Sequence, residues 1–138
     1  LAQKDMGRED FTKIPGGLPG VETRGVLLYT AGVAAGRITL QDMCRLLSEN
    51  PAKLYGCWPR KGTIAPGSDG DIVIYDPAAD SVITAADQAM NVDYCPYEGF
   101  RTAGSVAQVY LRGALAVDHG EVLAAPEGKF IPRGKSVL

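Results

Sequence analysis

Histidine is almost missing from this sequence: His119 is the only one among 138 residues. The three cysteines, Cys44, Cys57 and Cys95, stand far apart and form no C-x-x-C pair. A zinc site of the usual Cys/His kind needs about four such ligands, so these residues cannot build one. An odd, widely spaced set of cysteines also argues against a disulfide framework, and the expected location is the cytoplasm. Charge of one sign is not in excess, because 14 Lys and Arg face 16 Asp and Glu for a net charge of −2. Without the basic stripe that binds phosphate backbones, nucleic acid is not an expected partner. No apolar run approaches the roughly 20 residues of a membrane-spanning helix, so no membrane partner is expected either. The opening residues do not read as a secretory leader. They begin at Leu1 without Met and read as the middle of a longer protein. No internal repeat is found.

What is present is an ordinary globular composition, 46% hydrophobic and 22% charged, with 17 glycines and 9 prolines. The length suits one domain that buries roughly 68–70% of its unfolded surface. Three zones differ in character. Residues 1–25 are polar and then glycine-rich, and two prolines with three glycines in 15–20 predict a shaped loop. Such a loop is most often a connector, but it also lets backbone approach a ligand closely.

Residues 26–58 read as helices. Thr39 with Asp42 three residues on predicts a capping box. Leu40, Met43, Cys44 and Leu47 follow at helical spacing and predict one buried stripe. Ser48-Glu49-Asn50 predicts a break, with Asn50 capping a second short helix that ends near Gly56. From residue 59 onward the pattern turns to strands. Residues 61–65 lead to a turn at 66–70, and residues 71–76 read as a strand interior to a sheet because both of its faces are apolar. Residues 106–111, 114–117 and 121–123 predict a meander with turns at Arg112-Gly113 and Asp118-His119-Gly120. Residues 85–105 read as a long excursion between strands. Helices followed by strands predict an α+β layout.

Chemistry-bearing residues are few. His119 is expected to be an exposed turn residue. Cys57 and Cys95 have no neighbouring base and read as small hydrophobes, while Cys44 reads as core. Alternation puts Asp69 and Asp71 on one strand face and Asp76 on the other, where solvated carboxylates are expected rather than metal ligands. Glu22 and Arg24 are expected to pair and hold the glycine loop. The residues alone give no nucleophile, general base or metal cluster.

Four segments carry a more specific signal. Residues 10–24 (DFTKIPGGLPGVETR), 50–56 (NPAKLYG), 61–74 (KGTIAPGSDGDIVI) and 91–99 (NVDYCPYEG) together, in order and spacing, resemble the dihydropyrimidinase/hydantoinase family of amidohydrolases. The resemblance covers nearly the whole chain. It implies an α+β fragment of a longer enzyme: residues 1–56 as the last helices and loops of a metal-dependent (β/α)8 barrel, and residues 57–138 as the C-terminal strands of a β-sandwich domain with a tail. It further implies two divalent metal ions, usually zinc, held by residues upstream of Leu1, with a metal-bound hydroxide opening the ring amide of a small cyclic ureide. No catalytic residue and no metal ligand would then lie in this segment. The family's Ile-Pro-Asn-Gly motif binds the substrate ring amide through the asparagine backbone. The matching position is Gly16, to which the substrate-binding role carries over although the side chain is gone. The family also implies a homotetramer, in which the tail from Lys129 to Leu138 would dock on a neighbouring subunit. It contains metal-free, non-enzymatic scaffold and assembly proteins of the same fold, which are the alternative reading.

Overall fold

Thr39 and Asp42 start a helix as their spacing predicts. In the computed structural model, which describes residues 2–123, 125 and 127–138, the Asp42 amide donates to the Thr39 hydroxyl at 3.1 Å and the Thr39 amide donates to the Asp42 carboxylate at 3.0 Å. The Thr39 hydroxyl, which also donates to the Asp42 carboxylate at 2.6 Å, together with the Thr39 amide and the Arg45 guanidinium holds the Asp42 carboxyl down at about 2. The helix runs through α3 (Leu40–Cys44), a wider π-helical stretch at Arg45–Glu49, and α4 (Asn50–Leu54). The predicted break at 48–50 is absent. Asn50 is helical, with φ −63° and ψ −43°, and the ladder widens just before Pro51, which has no N–H to give it. Upstream lie α1 (Ala2–Asp5), a 3-10 turn at Phe11–Lys13, and α2 (Arg24–Leu28), which continues as a π-helical stretch over Tyr29–Ala34.

The strands form two antiparallel sheets. β1 (Ile72–Asp76), β4 (Ser105–Leu111), β5 (Ala114–Asp118) and β6 (Glu121–Val122) make one, in the order β1-β4-β5-β6. β2 (Ser81–Val82) and β3 (Arg101–Thr102) make the other and close the base of the 85–105 excursion. The meander turns where predicted. Arg112-Gly113 (φ 50° and 84°) and His119-Gly120 (φ 45° and 86°) each have two positive φ values, the two-residue hairpin geometry that matches strand twist.

One strand expectation is corrected. β1 is an edge strand rather than an interior one, and Val73 and Ile74 are 59% and 44% exposed. Apolar residues on both faces require cover over both faces, which is separate from pairing at both edges. Residues 61–65 form turns and bends. There Lys61 bonds both Asp69, at 2.9 Å, and Asp71, so its side chain anchors a turn.

The helical stripe is corrected as well. Leu40, Cys44 and Leu47 are exposed, and Leu47 lines an open groove rather than a packed core. The chain as a whole shows the same deficit. Its accessible surface is 9589 Å², against roughly 6,900 Å² for a folded monomer of its 14.6 kDa mass, so it buries only about 55% of its unfolded surface. The few buried side chains include Ala52, Ile83, Tyr94, Thr23 and Thr102.

Burial opposes the Lys61 charge, but hydrogen bonds to Asp71 and Asp69 outweigh it and raise the Lys61 pKa. The bonds from Lys61 lower both aspartates, against the burial of Asp71. Carboxyl pKa values lowered on folding stabilise the protein above the ordinary carboxylate range, and that contribution is lost as pH falls through the folded values. Lys61→Met is therefore expected to lose less stability between pH 6 and pH 3 than the wild type. Denaturant midpoints across that range check this, and equal acid slopes would contradict it.

Candidate functional site

The glycine-proline loop, residues 14–20, hangs from the Phe11–Lys13 turn and runs into α2. Asp10 caps the turn by accepting from the Thr12 amide at 3.1 Å, and the Ile14 amide donates to the Phe11 carbonyl at 3.1 Å. Gly7 makes this entry possible. A Cβ there would lie 1.9 Å from the Ile14 side chain and 2.9 Å from its backbone nitrogen.

Within the loop the two adjacent glycines differ. Gly17 sits at φ +73°, a conformation that disfavours L side chains. Gly16 is exposed, lies outside that region, and has open space where a Cβ would stand. The loop therefore does not require glycine at position 16.

Lys4, on α1, reaches across to this loop. Its Nζ donates to the Pro15 carbonyl at 2.7 Å and to the Gly17 carbonyl at 2.9 Å, the two neighbours of Gly16. The same ammonium stands 5.0 Å from the ring centroid of Tyr94, which is only 8% exposed. Among the described residues, the N–H and carbonyl of Gly16 itself take no partner. The site can thus offer a ligand one free backbone donor and one free backbone acceptor, held between two committed carbonyls.

The excursion fixes both flanks of the loop. The Gln3 amide donates to Asp93 Oδ2, and the Asp93 amide donates to Gln3 Oε1, both at 3.3 Å. Beyond the loop, Glu22 Oε2 accepts from the Ala89 amide at 2.9 Å. The expected Glu22–Arg24 pair is not formed among the described residues, because the Glu22 carboxylate is used to tie the loop to the excursion instead. Beside Gly20 lies an apolar groove of about 580 Å³, walled by Leu27, Ile38, Leu47 and Tyr97.

The other candidates stay apart from this loop. His119 is an exposed hairpin residue, and its Nδ1 lies 2.8 Å from Asp118. Asp69 and Asp71 are held by Lys61, while Asp76 accepts from the Ala78 amide. Cys95 Sγ accepts from Gln88 Nε2 at 3.1 Å. All three cysteines are free thiols, and Cys44 is exposed rather than core. Among the described residues, no three His, Cys, Asp or Glu side chains converge as a metal site.

A sequence model described as "Amidohydrolase family" matches residues 18–116, which is most of the chain. The chain belongs to the amidohydrolase family. Across 133 residues this amidohydrolase chain is 47% identical to a D-hydantoinase of Ralstonia pickettii, covering 96% of itself and 29% of that protein. To a D-hydantoinase of Geobacillus stearothermophilus it is 44% identical over 134 residues, covering 96% of itself and 28% of the relative. A solved D-hydantoinase structure superposes with a TM-score of 0.90 at 46% identity, over 97% of this chain and 29% of that one. The chain thus spans less than a third of the length of the curated relatives it matches.

Lys4 and Tyr94 are the loop residues that sequence reading misses. They stand 90 positions apart, and no local pattern links them. The only available signal is that Tyr94 falls within the family-like segment 91–99.

The glycine pair gives a direct check. Gly16→Ala is expected to leave stability unchanged or raise it by about 0.4–1 kcal/mol through loss of unfolded-state freedom. Gly17→Ala is expected to cost about 1 kcal/mol or more, because it forces a side chain into the left-handed region. Urea midpoints of the two variants measure the difference.

Proposed function

We propose that this chain is the C-terminal segment of a cyclic amidohydrolase that opens the ring amide of dihydropyrimidines or hydantoins to N-carbamoyl amino acids. The observation that carries this reading is the unbroken likeness to D-hydantoinases through loop, helices and sheet. In it, residues 1–56 end a (β/α)8 barrel, and residues 57–138 supply strands and a tail to a β-sandwich. The excess exposed surface and the exposed Leu40 and Leu47 favour a chain that packs against more protein of its own kind. A homotetramer and a cytoplasmic location belong to the same reading.

Within it, Gly16 binds the substrate. A ring amide presents one N–H and one carbonyl side by side, and the free Gly16 backbone groups complement that pattern. A substrate positioned by backbone loses no affinity to side-chain truncation, which is compatible with glycine in place of asparagine. Among the described residues no three His, Cys, Asp or Glu side chains converge as a metal centre, so in this reading metal ions of the family type take ligands from the upstream part of the parent. The role left to this segment is binding and orientation.

Intact mass of the native preparation, followed by hydantoin and dihydrouracil hydrolysis, tests the proposal. The expected result is a polypeptide several times heavier that hydrolyses one or both rings. The 138 residues expressed alone are expected to bind no stoichiometric zinc and to hydrolyse nothing. Turnover by that piece alone would overturn the division of labour. A metal-free, inactive parent would move the protein to the scaffold class.

A further inference from the structure

We propose that Lys4 is the positioning residue of the substrate loop. It draws the carbonyls of Pro15 and Gly17 to one side and so leaves the Gly16 peptide groups free for a cyclic ureide. This inference rests on the function proposed above and assigns that site a residue outside the loop itself.

The geometry points to Lys4 on three counts. First, its ammonium has three N–H donors, and two are spent on the carbonyls that flank Gly16, at 2.7 and 2.9 Å. Bonds from a charged donor are stronger than those between neutral groups, so these carbonyls are not free to swing toward a ligand. Second, the ammonium stands over the buried Tyr94 ring. The negative face of that ring favours the cation and fixes its place. Third, the backbone beneath Lys4 is itself held, because Gln3 and Asp93 exchange hydrogen bonds in both directions.

Lys4 also works where the loop needs it most. The stretch Pro15-Gly16-Gly17 contains two adjacent glycines, the residues with the most backbone freedom to lose on ordering. With the Glu22–Ala89 bond at the far flank, the loop is strapped at both ends to the same excursion, residues 89–94. Without Lys4 the near end is released. A released loop still visits the binding conformation, but less often, and apparent affinity falls by that fraction. The predicted signature is a rise in KM with kcat nearly held, since binding is lost rather than chemistry.

The experiment uses the full-length polypeptide with Lys4→Met, Lys4→Arg and Tyr94→Leu. Two quantities are read: amide hydrogen exchange of residues 14–20, and steady-state kcat and KM for hydantoin. Lys4→Met is expected to speed exchange in 14–20 and to raise KM about tenfold, with exchange in β4 and β5 unchanged. Lys4→Arg keeps charge and donors and is expected to restore most of both. Tyr94→Leu keeps the ammonium but removes its platform, and is expected to loosen the same segment. Unchanged exchange in 14–20 for Lys4→Met and Tyr94→Leu would overturn the proposal, as would faster exchange with an unchanged KM. If the wild type opens no cyclic ureide while Lys4→Met still loosens the loop, the function reading falls and the clamp stands. If the wild type turns over hydantoin and Lys4→Met alters neither quantity, the clamp falls alone.

Discussion

Tyr75 joins the helical and sheet parts of this chain. Its ring lies 4.4 Å from that of Tyr29, tilted by 39°, and its hydroxyl donates to the Ala103 carbonyl at 3.0 Å. The Ala103 amide in turn donates to the Thr30 hydroxyl at 3.0 Å. Burial, with Tyr29 adding to it, pushes the Tyr75 phenol up to about 12, so it stays a hydrogen-bond donor throughout the physiological range. Helix, edge strand and excursion therefore meet at one aromatic pair and two hydrogen bonds. With so little apolar surface buried elsewhere, directional contacts hold these parts in register where a larger protein would use a core.

The same economy runs through the loop. Its conformation is set by an ammonium, a ring face and a few backbone bonds, all reaching from distant positions. Such contacts specify geometry more than they add stability. That suits a segment whose proposed work is to present backbone groups rather than to carry out bond breaking. Chemistry and positioning are then divided between parts of one polypeptide, as expected where loops on a scaffold deliver the substrate to groups held elsewhere.

Much of the fold is legible because the signals are local. The Thr39–Asp42 cap and the Arg112-Gly113 and His119-Gly120 turns each depend on residues within a few positions. The misreadings share a cause. The Leu40–Leu47 stripe and the apolar faces of β1 state correctly that cover is needed, but the covering partner is not written in the same stretch. Arg24 is the sequence neighbour that could pair with Glu22, but the Glu22 carboxylate is used 67 positions away. The bonds that shape the surroundings of Gly16 are not legible in sequence, because the contact between Lys4 and Tyr94 spans 90 positions and has no periodicity.

The place of β1 at the margin of its sheet has a cost outside any larger assembly. Among the described residues no strand pairs with its outer side, and Ile72-Val73-Ile74-Tyr75 carry no charge and no proline. Natural proteins blunt such margins with charges, bulges or a covering element. Here the register irregularity between Ile74 and Tyr75 and the exposed Asp76 at the strand's end are the devices along the strand. Separated from whatever covers it, this margin offers backbone donors and acceptors on which a second extended chain can pair.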